Sequence, residues 1–252
     1  MAENEDRELS EPGGKLRLFI EAPLGAGVRL EPSAQQAHYL LHVMRARTGD
    51  RISVFNGSQG EWLAEITEVS RRGCVLSCVR QIAAQHDVPD LWLVFAPIKK
   101  TAADYAAQKA TELGVRALQP IFTRRTIVHR VNIERMRANA VEAAEQSGRV
   151  SVPDVREAIE LPKLLQSWPE ERNILFCDES GGPPITETLA GAAGGAWAVL
   201  TGPEGGFDPA ERDLIRSHPR TISVSLGSRI LRADTAALAA LSVWQATRGD
   251  WR

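Results

Sequence analysis

The 252-residue chain has only three cysteines, Cys74, Cys78 and Cys177, which form neither a CxxC pair nor an even set. That excludes a disulfide framework and a zinc knuckle, and it fits a reducing cytoplasm. No apolar run nears the roughly 20 residues that a membrane span needs. The opening stretch, Met1 to Gly14, carries five acidic residues against one arginine and has no apolar core, so it is no secretory signal and reads as a disordered tail. Internal repeats are missing, and low complexity is confined to a Gly/Ala run at 191–196 that reads as a loop. Several common chemistries are missing too. The GPEGGF run at 202–207 lacks the Lys-Ser/Thr ending of a phosphate-binding Walker loop, and neither a GxGxxG turn nor a GxSxG nucleophile elbow occurs where it would be needed. His38 and His42 stand four apart on a helix with no third ligand nearby, so no metal site is expected.

With 43% apolar and 25% charged residues, the chain is globular and long enough for one large or two modest domains. Its net charge of −2 hides an uneven distribution: Lys99 to Arg137 holds nine Lys/Arg against three Asp/Glu, while Ala138 onward holds eleven against sixteen. A basic face is all that phosphate neutralisation requires, although a solvated helix face would carry the same arginines.

Two rhythms divide the chain. Residues 15–86 give short strands at Lys15–Glu21, Arg51–Phe55, Glu61–Val69 and Cys74–Gln81, with one helix that starts at a Ser33/Gln36 capping box and runs through Arg47. This predicts a small β-barrel, with Cys74 and Cys78 facing its core. After a polar hinge around Ala83–Asp90, residues 87–252 alternate strand and helix. Strands are expected at Leu91–Pro97, Val115–Phe122, Asn173–Cys177, Ala196–Leu200 and Thr221–Leu226. Helices are expected at Ala102–Leu113, Asn132–Ser147 and Leu161–Ser167, then after an Asp208-Pro209-Ala-Glu211 start signal, and finally from about Asp234 to Thr247. That last helix is rich in alanine and leucine, which suits either a dimer interface or an ordinary packed core.

Two irregular loops follow strand-like runs in the last fifth: Leu200-Thr-Gly-Pro-Glu-Gly-Gly-Phe207 and Leu226-Gly-Ser-Arg-Ile-Leu-Arg-Ala-Asp-Thr-Ala236. Loops at the carboxyl ends of neighbouring strands make ligand sites in α/β proteins, and Gly202, Gly205 and Gly206 would let backbone approach a ligand closely. Further blocks are Arg17-Leu-Phe19, His38-Tyr-Leu-Leu-His-Val-Met-Arg45, Gly49-Asp50, Val54-Phe-Asn-Gly57, Gln108-Lys-Ala-Thr-Glu-Leu-Gly114 and Glu145-Gln-Ser-Gly-Arg149. Taken together, in this order and spacing from residue 15 onward, they resemble the SPOUT (trefoil-knot) methyltransferases. Within that superfamily they resemble the bacterial enzymes that methylate N3 of a uridine in 16S ribosomal RNA. Two positions depart from the family's usual pattern: Ser228 stands where proline is common and Asp234 where glutamate is common.

The resemblance implies an α/β trefoil-knot catalytic domain behind a PUA-like RNA-binding barrel, S-adenosyl-L-methionine as cofactor, a cytoplasmic homodimer, and small-subunit ribosomal RNA as partner. It implies cofactor contacts from Phe176, Cys177, Leu200, Thr201, Gly202, Pro203, Glu204, Gly205, Leu226, Gly227, Ser228, Ile230, Leu231, Arg232 and Thr235. Arg232 is the expected catalytic residue, since a guanidinium can stabilise charge on a deprotonated uracil; a salt bridge to Asp234 or Glu204 is the alternative. Asp234 reads as a helix cap and Glu204 as a loop brace. Arg17, Arg45, Arg47, Arg124, Arg125, Arg130 and Arg229 are expected to hold RNA, the Arg124–Arg125 pair independently of the cofactor. Two other readings stay open: a non-catalytic RNA-binding assembly factor, and a methyltransferase with a different RNA target.

Overall fold

A computed structural model describes residues 8–11, 14–97, 100–192 and 194–251. Contacts divide the chain into two units, one holding residues up to Asp87 together with 144–151, the other holding the rest from Val88.

In the first unit, β1 (Arg17–Phe19), β2 (Arg29–Leu30), β3 (Arg51–Phe55), β4 (Glu61–Ser70) and β5 (Gly73–Ala83) form one sheet in the order β1-β3-β4-β5-β2. Only the β1–β3 pair is parallel. Alternate residues of β5, including Cys74, Leu76 and Cys78, face the core as period-2 patterning requires. The Ser33/Gln36 capping box forms with both its hydrogen bonds, but the helix does not reach Arg47. After α1 (Ala34–His38) the backbone widens into a π turn over Tyr39–Val43, and Met44 N–H donates to Tyr39 C=O at 3.0 Å. Arg45 then enters the left-handed region at φ 53°, where a helix cannot continue. The segment read as a tail is ordered where it is described. Leu9 is buried and donates to Arg51 C=O at 2.8 Å, and Ser10–Glu11 pairs antiparallel with Gly14–Lys15. Residues 1–7, 12 and 13 of that expected tail lie outside the described residues.

Arg17 explains why 144–151 joins this unit. Its Nε and Nη2 donate to the two Glu61 oxygens at 3.0 Å, Nη1 to the carbonyls of Ala144 and Glu145 at 2.8 and 2.9 Å, and Nη2 also to the Arg149 carbonyl at 2.9 Å. A guanidinium has five N–H donors, and all five are used. With a side chain only 9% exposed, Arg17 is a structural tie, and the RNA contact expected of it has no donor left.

The second unit is a parallel sheet. Its strands are β6 (Leu91–Phe95), β7 (Ala117–Phe122), β8 (Asp154–Val155), β9 (Ile159–Glu160), β10 (Arg172–Cys177), β11 (Ala196–Thr201) and β12 (Thr221–Val224). They run in the order β8-β7-β6-β11-β10-β12, with β9 also paired to β7. The helices are α2 (Lys100–Glu112), α3 (Ile133–Ser147), α4 (Leu161–Gln166), α5 (Ile185–Gly191), α6 (Pro209–Ser217) and α7 (Ala233–Arg248). Leu91, Leu93 and Phe95 of β6 face one core with residues of α2, α5 and α7; Trp92 and Val94 face the other with residues of α4 and α6. Burial on both faces is why these strands read as continuous apolar runs. The small residues Ala237 and Ala240 of α7 are spent on the chain's own core. Strand order reverses between β6 and β11, so ligand crevices belong at the carboxyl ends there.

At the opposite, amino ends, Trp92 lies between two guanidiniums, with Arg172 Cζ 3.6 Å and Arg156 Cζ 3.8 Å from its ring centroid. Arg172 donates to both Asp90 oxygens at 2.8 Å and to the Trp197 carbonyl at 2.9 Å. Burial pulls this guanidinium below its ordinary pKa, and Asp90 opposes that shift.

Candidate functional site

Strand register brings the expected site together. Phe176 of β10 pairs with Leu200 of β11, and Cys177 pairs with Val224 of β12, so three strand ends lie side by side and release their loops at one edge. Phe176 supports the site from behind. It is fully buried, and its ring meets that of Phe207 edge to face at 5.4 Å, which anchors the far end of the first loop in the core. Burial pushes the Cys177 thiol up to about 12, so this sulfur is a neutral, inert wall rather than a nucleophile.

The loop from Gly202 to Asp208 is built tightly. Gly206 N–H donates to Pro203 C=O at 2.9 Å, closing a turn, and Gly206 itself sits at φ 64°. A β-carbon at Gly202 would lie 2.8 Å from Phe207 Cε2, so this glycine is required by packing. Gly205 alone has both an ordinary φ and room for a methyl group. Asp208 caps α6 with the complete box expected from sequence, Pro209 following in the first turn. Thr201 and Pro203 are buried while Glu204 is exposed, and among the described residues no bond from the Glu204 carboxylate makes it a brace.

The second loop starts at Ser225, which is fixed by backbone bonds to Pro183 and Ile185 and whose Oγ accepts from Gly227 N–H at 3.2 Å. Gly227 turns at φ 108°, then Ser228, Arg229 and Ile230 are exposed, Ile230 by 91%. Leu226 and Leu231, both half-buried, flank this exposed backbone. Arg232 occupies the N-cap of α7 through its main chain, its carbonyl accepting from Ala236 N–H at 2.8 Å. Its guanidinium is exposed and makes no ion pair with Asp234 or Glu204 among the described residues. The cap expected of Asp234 is therefore supplied by Arg232. Asp234 sits two residues further in, accepts from Thr235 N–H at 2.8 Å, and lies where the helix dipole favours an anion. Thr235 is exposed beside it.

The arginines separate into groups. Arg45 and Arg47 of the first unit are exposed, as are Arg130 and Arg229 of the second, and none of their guanidiniums has a bonded partner among the described residues. Arg124 and Arg125 instead bond to the first loop: Arg124 Nη1 donates to Asp208 Oδ1 at 2.8 Å and Arg125 Nη1 to the Gly205 carbonyl at 2.9 Å. Both therefore bond to the loop expected to contact the cofactor. Sequence reading also missed Asp178 and Glu179, directly after β10. The Asp178 carboxylate is wholly buried, accepts from Arg216 Nε at 2.8 Å and from Ser180 N–H at 2.9 Å, and Glu179 pairs with Arg212. Two acids at a strand end and two arginines four apart on α6 are the signal that could have revealed it.

What these strand ends present is exposed main chain at Gly205 and at 227–230, with half-buried Leu226 and Leu231 flanking the latter and Leu200 packed into the core beneath with Phe207. That donor set suits an adenine nucleoside, whose ring needs apolar contact and whose edge needs backbone partners.

Comparison with known proteins gives a consistent picture. The model of an RNA methyltransferase domain matches residues 85–245, and that of an RNA methyltransferase PUA domain matches residues 33–77. The chain is 32% identical over 229 residues to the ribosomal RNA small subunit methyltransferase E of Rickettsia conorii, covering 90% of this chain and 93% of that one. It is 32% identical over 213 residues to the Synechocystis protein of the same name, covering 82% and 69% respectively. A crystal structure of a ribosomal RNA small subunit methyltransferase E from Neisseria gonorrhoeae bound to S-adenosyl methionine superposes with a TM-score of 0.86 at 27% identity, covering 94% of this chain and 99% of that one. The α/β SPOUT architecture with an amino-terminal PUA domain, implied by the sequence, is the fold of this chain.

Proposed function

Because this chain belongs to the RNA methyltransferase family, whose domain model spans residues 85–245, we propose that it transfers a methyl group from S-adenosyl-L-methionine to N3 of a uridine in 16S ribosomal RNA of the small subunit. The observation that carries this reading is the release of two irregular loops from the carboxyl ends of β11 and β12, the strands that flank β10, the second of them ending at an exposed Arg232 with no ion pair among the described residues.

When bound, the cofactor supplies a methyl group already activated on a sulfonium. The chain's residues need to hold it dry and in line with the acceptor. Leu200–Gly205 and Leu226–Leu231 are the holding segments, with Thr235 at the start of α7 beside them. Loss of the N3 proton leaves negative charge on the uracil ring and its carbonyl oxygens, and the Arg232 guanidinium is free to meet that charge. Since N3 lies in the Watson–Crick edge, the target must be unpaired or withdrawn from its stack; Arg130 and Arg229 of the second unit hold phosphates near it, and Arg45 and Arg47 give the first unit its own contacts to RNA phosphate. A cytoplasmic setting suits three unpaired thiols. A homodimer is supported by the family resemblance and by Ile230, an apolar side chain that nothing in the described chain covers. Among the described residues no helix is long and apolar enough to cross a membrane.

Titration calorimetry with S-adenosylmethionine, followed by methylation of small subunits from cells lacking the gene, tests the reading. Binding with N3-methyluridine as product is expected. Binding of RNA without cofactor would favour the assembly-factor reading, and a methyl group on another base would redirect the target. Light scattering should report twice the chain mass.

A further inference from the structure

The basic turn after β7 does more than present charge. Thr123 N–H donates to Thr126 Oγ1 at 3.0 Å, Thr126 N–H returns a bond to Thr123 C=O at 3.0 Å, and the two hydroxyls meet at 2.8 Å, which fixes the turn that carries Arg124 and Arg125. Glu211 of α6, only 5% exposed, accepts from Arg124 N–H at 2.8 Å with one oxygen and from Asp208 N–H at 3.3 Å with the other. A single buried carboxylate thus ties this turn to the root of the Gly202–Asp208 loop. The base of that loop is anchored by Phe207, while among the described residues the Gly205 carbonyl at its exposed apex accepts a 2.9 Å bond from Arg125 Nη1, and the Glu179 carboxylate lies against neighbouring Gly206. The stem of Arg125 also lies against the glycine, its Cβ and Cδ 3.6 and 3.7 Å from where a Gly205 β-carbon would be.

We propose that Arg125 is a positioning residue that couples the two substrates: one N–H holds the apex of the cofactor loop through the Gly205 carbonyl, while its remaining donors face solvent and take an RNA phosphate. The proposal rests on the methyltransferase reading of the site. A guanidinium suits this double duty, because its planar fork keeps several donors at fixed angles and its charge does not titrate. Coupling of this kind is reciprocal, so RNA that orders Arg125 tightens the cofactor, and cofactor tightens RNA by the same factor.

The test is cofactor affinity measured without RNA. Titrating S-adenosylmethionine or S-adenosylhomocysteine into Arg125→Ala should give affinity about fivefold to tenfold weaker than wild type, the scale of one exposed charge-assisted hydrogen bond. The KM for cofactor should rise while kcat at saturation barely moves, and the RNA-induced gain in cofactor affinity should vanish. Arg125→Lys, which keeps a charged donor, should recover most of the RNA-free affinity. Arg130→Ala, in the same segment but bonded to no described residue, should leave RNA-free cofactor affinity intact. Hydrogen exchange keeps the outcome decisive if the alanine variant is less stable: amides at Gly205 and Gly206 should exchange faster with those of α6 unchanged. Wild-type cofactor affinity in Arg125→Ala without RNA would overturn the proposal and return Arg125 to a plain surface charge. If wild type itself binds no cofactor, the methyltransferase reading fails instead.

Discussion

Replacing Gly202 with alanine isolates a steric requirement from a conformational one. The added β-carbon would lie 2.8 Å from Phe207 Cε2, closer than such atoms approach in folded proteins, and 3.0 Å from Cδ2, and the ring is buried edge to face on Phe176 at 5.4 Å, which limits its retreat. Overpacking of this kind costs about 1–3 kcal/mol. Alanine's smaller chain entropy in the unfolded state offsets about 0.4–1 kcal/mol of that, since the φ of Gly202 lies outside the left-handed region. The net loss of about 1–2 kcal/mol corresponds to a Tm lower by about 2–8 °C for a unit of this size. Gly205→Ala is the matched control. Its nearest neighbour would be 3.6 Å away, an ordinary contact, so its Tm should stay within about 1–2 °C of wild type. Scanning calorimetry of both variants decides the matter. Equal melting temperatures, or a larger loss at Gly205, would show that the Phe207 ring moves freely and that the loop is not anchored in the core as described.

Two further outcomes are expected. Arg232→Ala should cut single-turnover methylation of small subunits by roughly a hundredfold or more, the scale of losing one transition-state donor, with cofactor affinity nearly unchanged; near-normal turnover would assign the uracil charge to another group. Burial raises the pKa of all three thiols, Cys177 to about 12, so the native protein should resist alkylation at pH 8 while the denatured chain exposes three reactive thiols. Fast native labelling of Cys177, read by peptide mass, would mean that the site opens to solvent.

Local signals in the sequence carried over faithfully wherever one segment determines its own structure. The Ser33/Gln36 and Asp208/Glu211 boxes formed because each needs only residues three apart, and β6, β10 and β11 were legible as apolar runs because both their faces are covered. Features set by distant partners were not legible. The helix from Ser33 was drawn too long because nothing in Tyr39–Val43 announces a wider turn, and Arg45 adopts its left-handed φ despite being a poor residue for it. The short helix α5 and the two-residue strands β8 and β9 are stabilised by docking rather than by propensity. At the site, the two loops were found from their glycines and strand ends. The bonds that divide the arginines into bound and unbound join residues 80 or more positions apart, as Arg125 and Gly205 are, and no spacing rule reaches that far.

The stacked indole of Trp92, with its two guanidiniums and Asp90, lies at the amino ends of the strands, whereas the two irregular loops leave from the carboxyl ends. Resilience and adaptability therefore occupy opposite poles of one sheet. Exposed positions such as Arg229 and Ile230, beyond the left-handed turn at Gly227, can change without touching the packed core, and a laboratory search for heat-tolerant versions can draw its substitutions from around Trp92, Arg156 and Arg172, away from the loops.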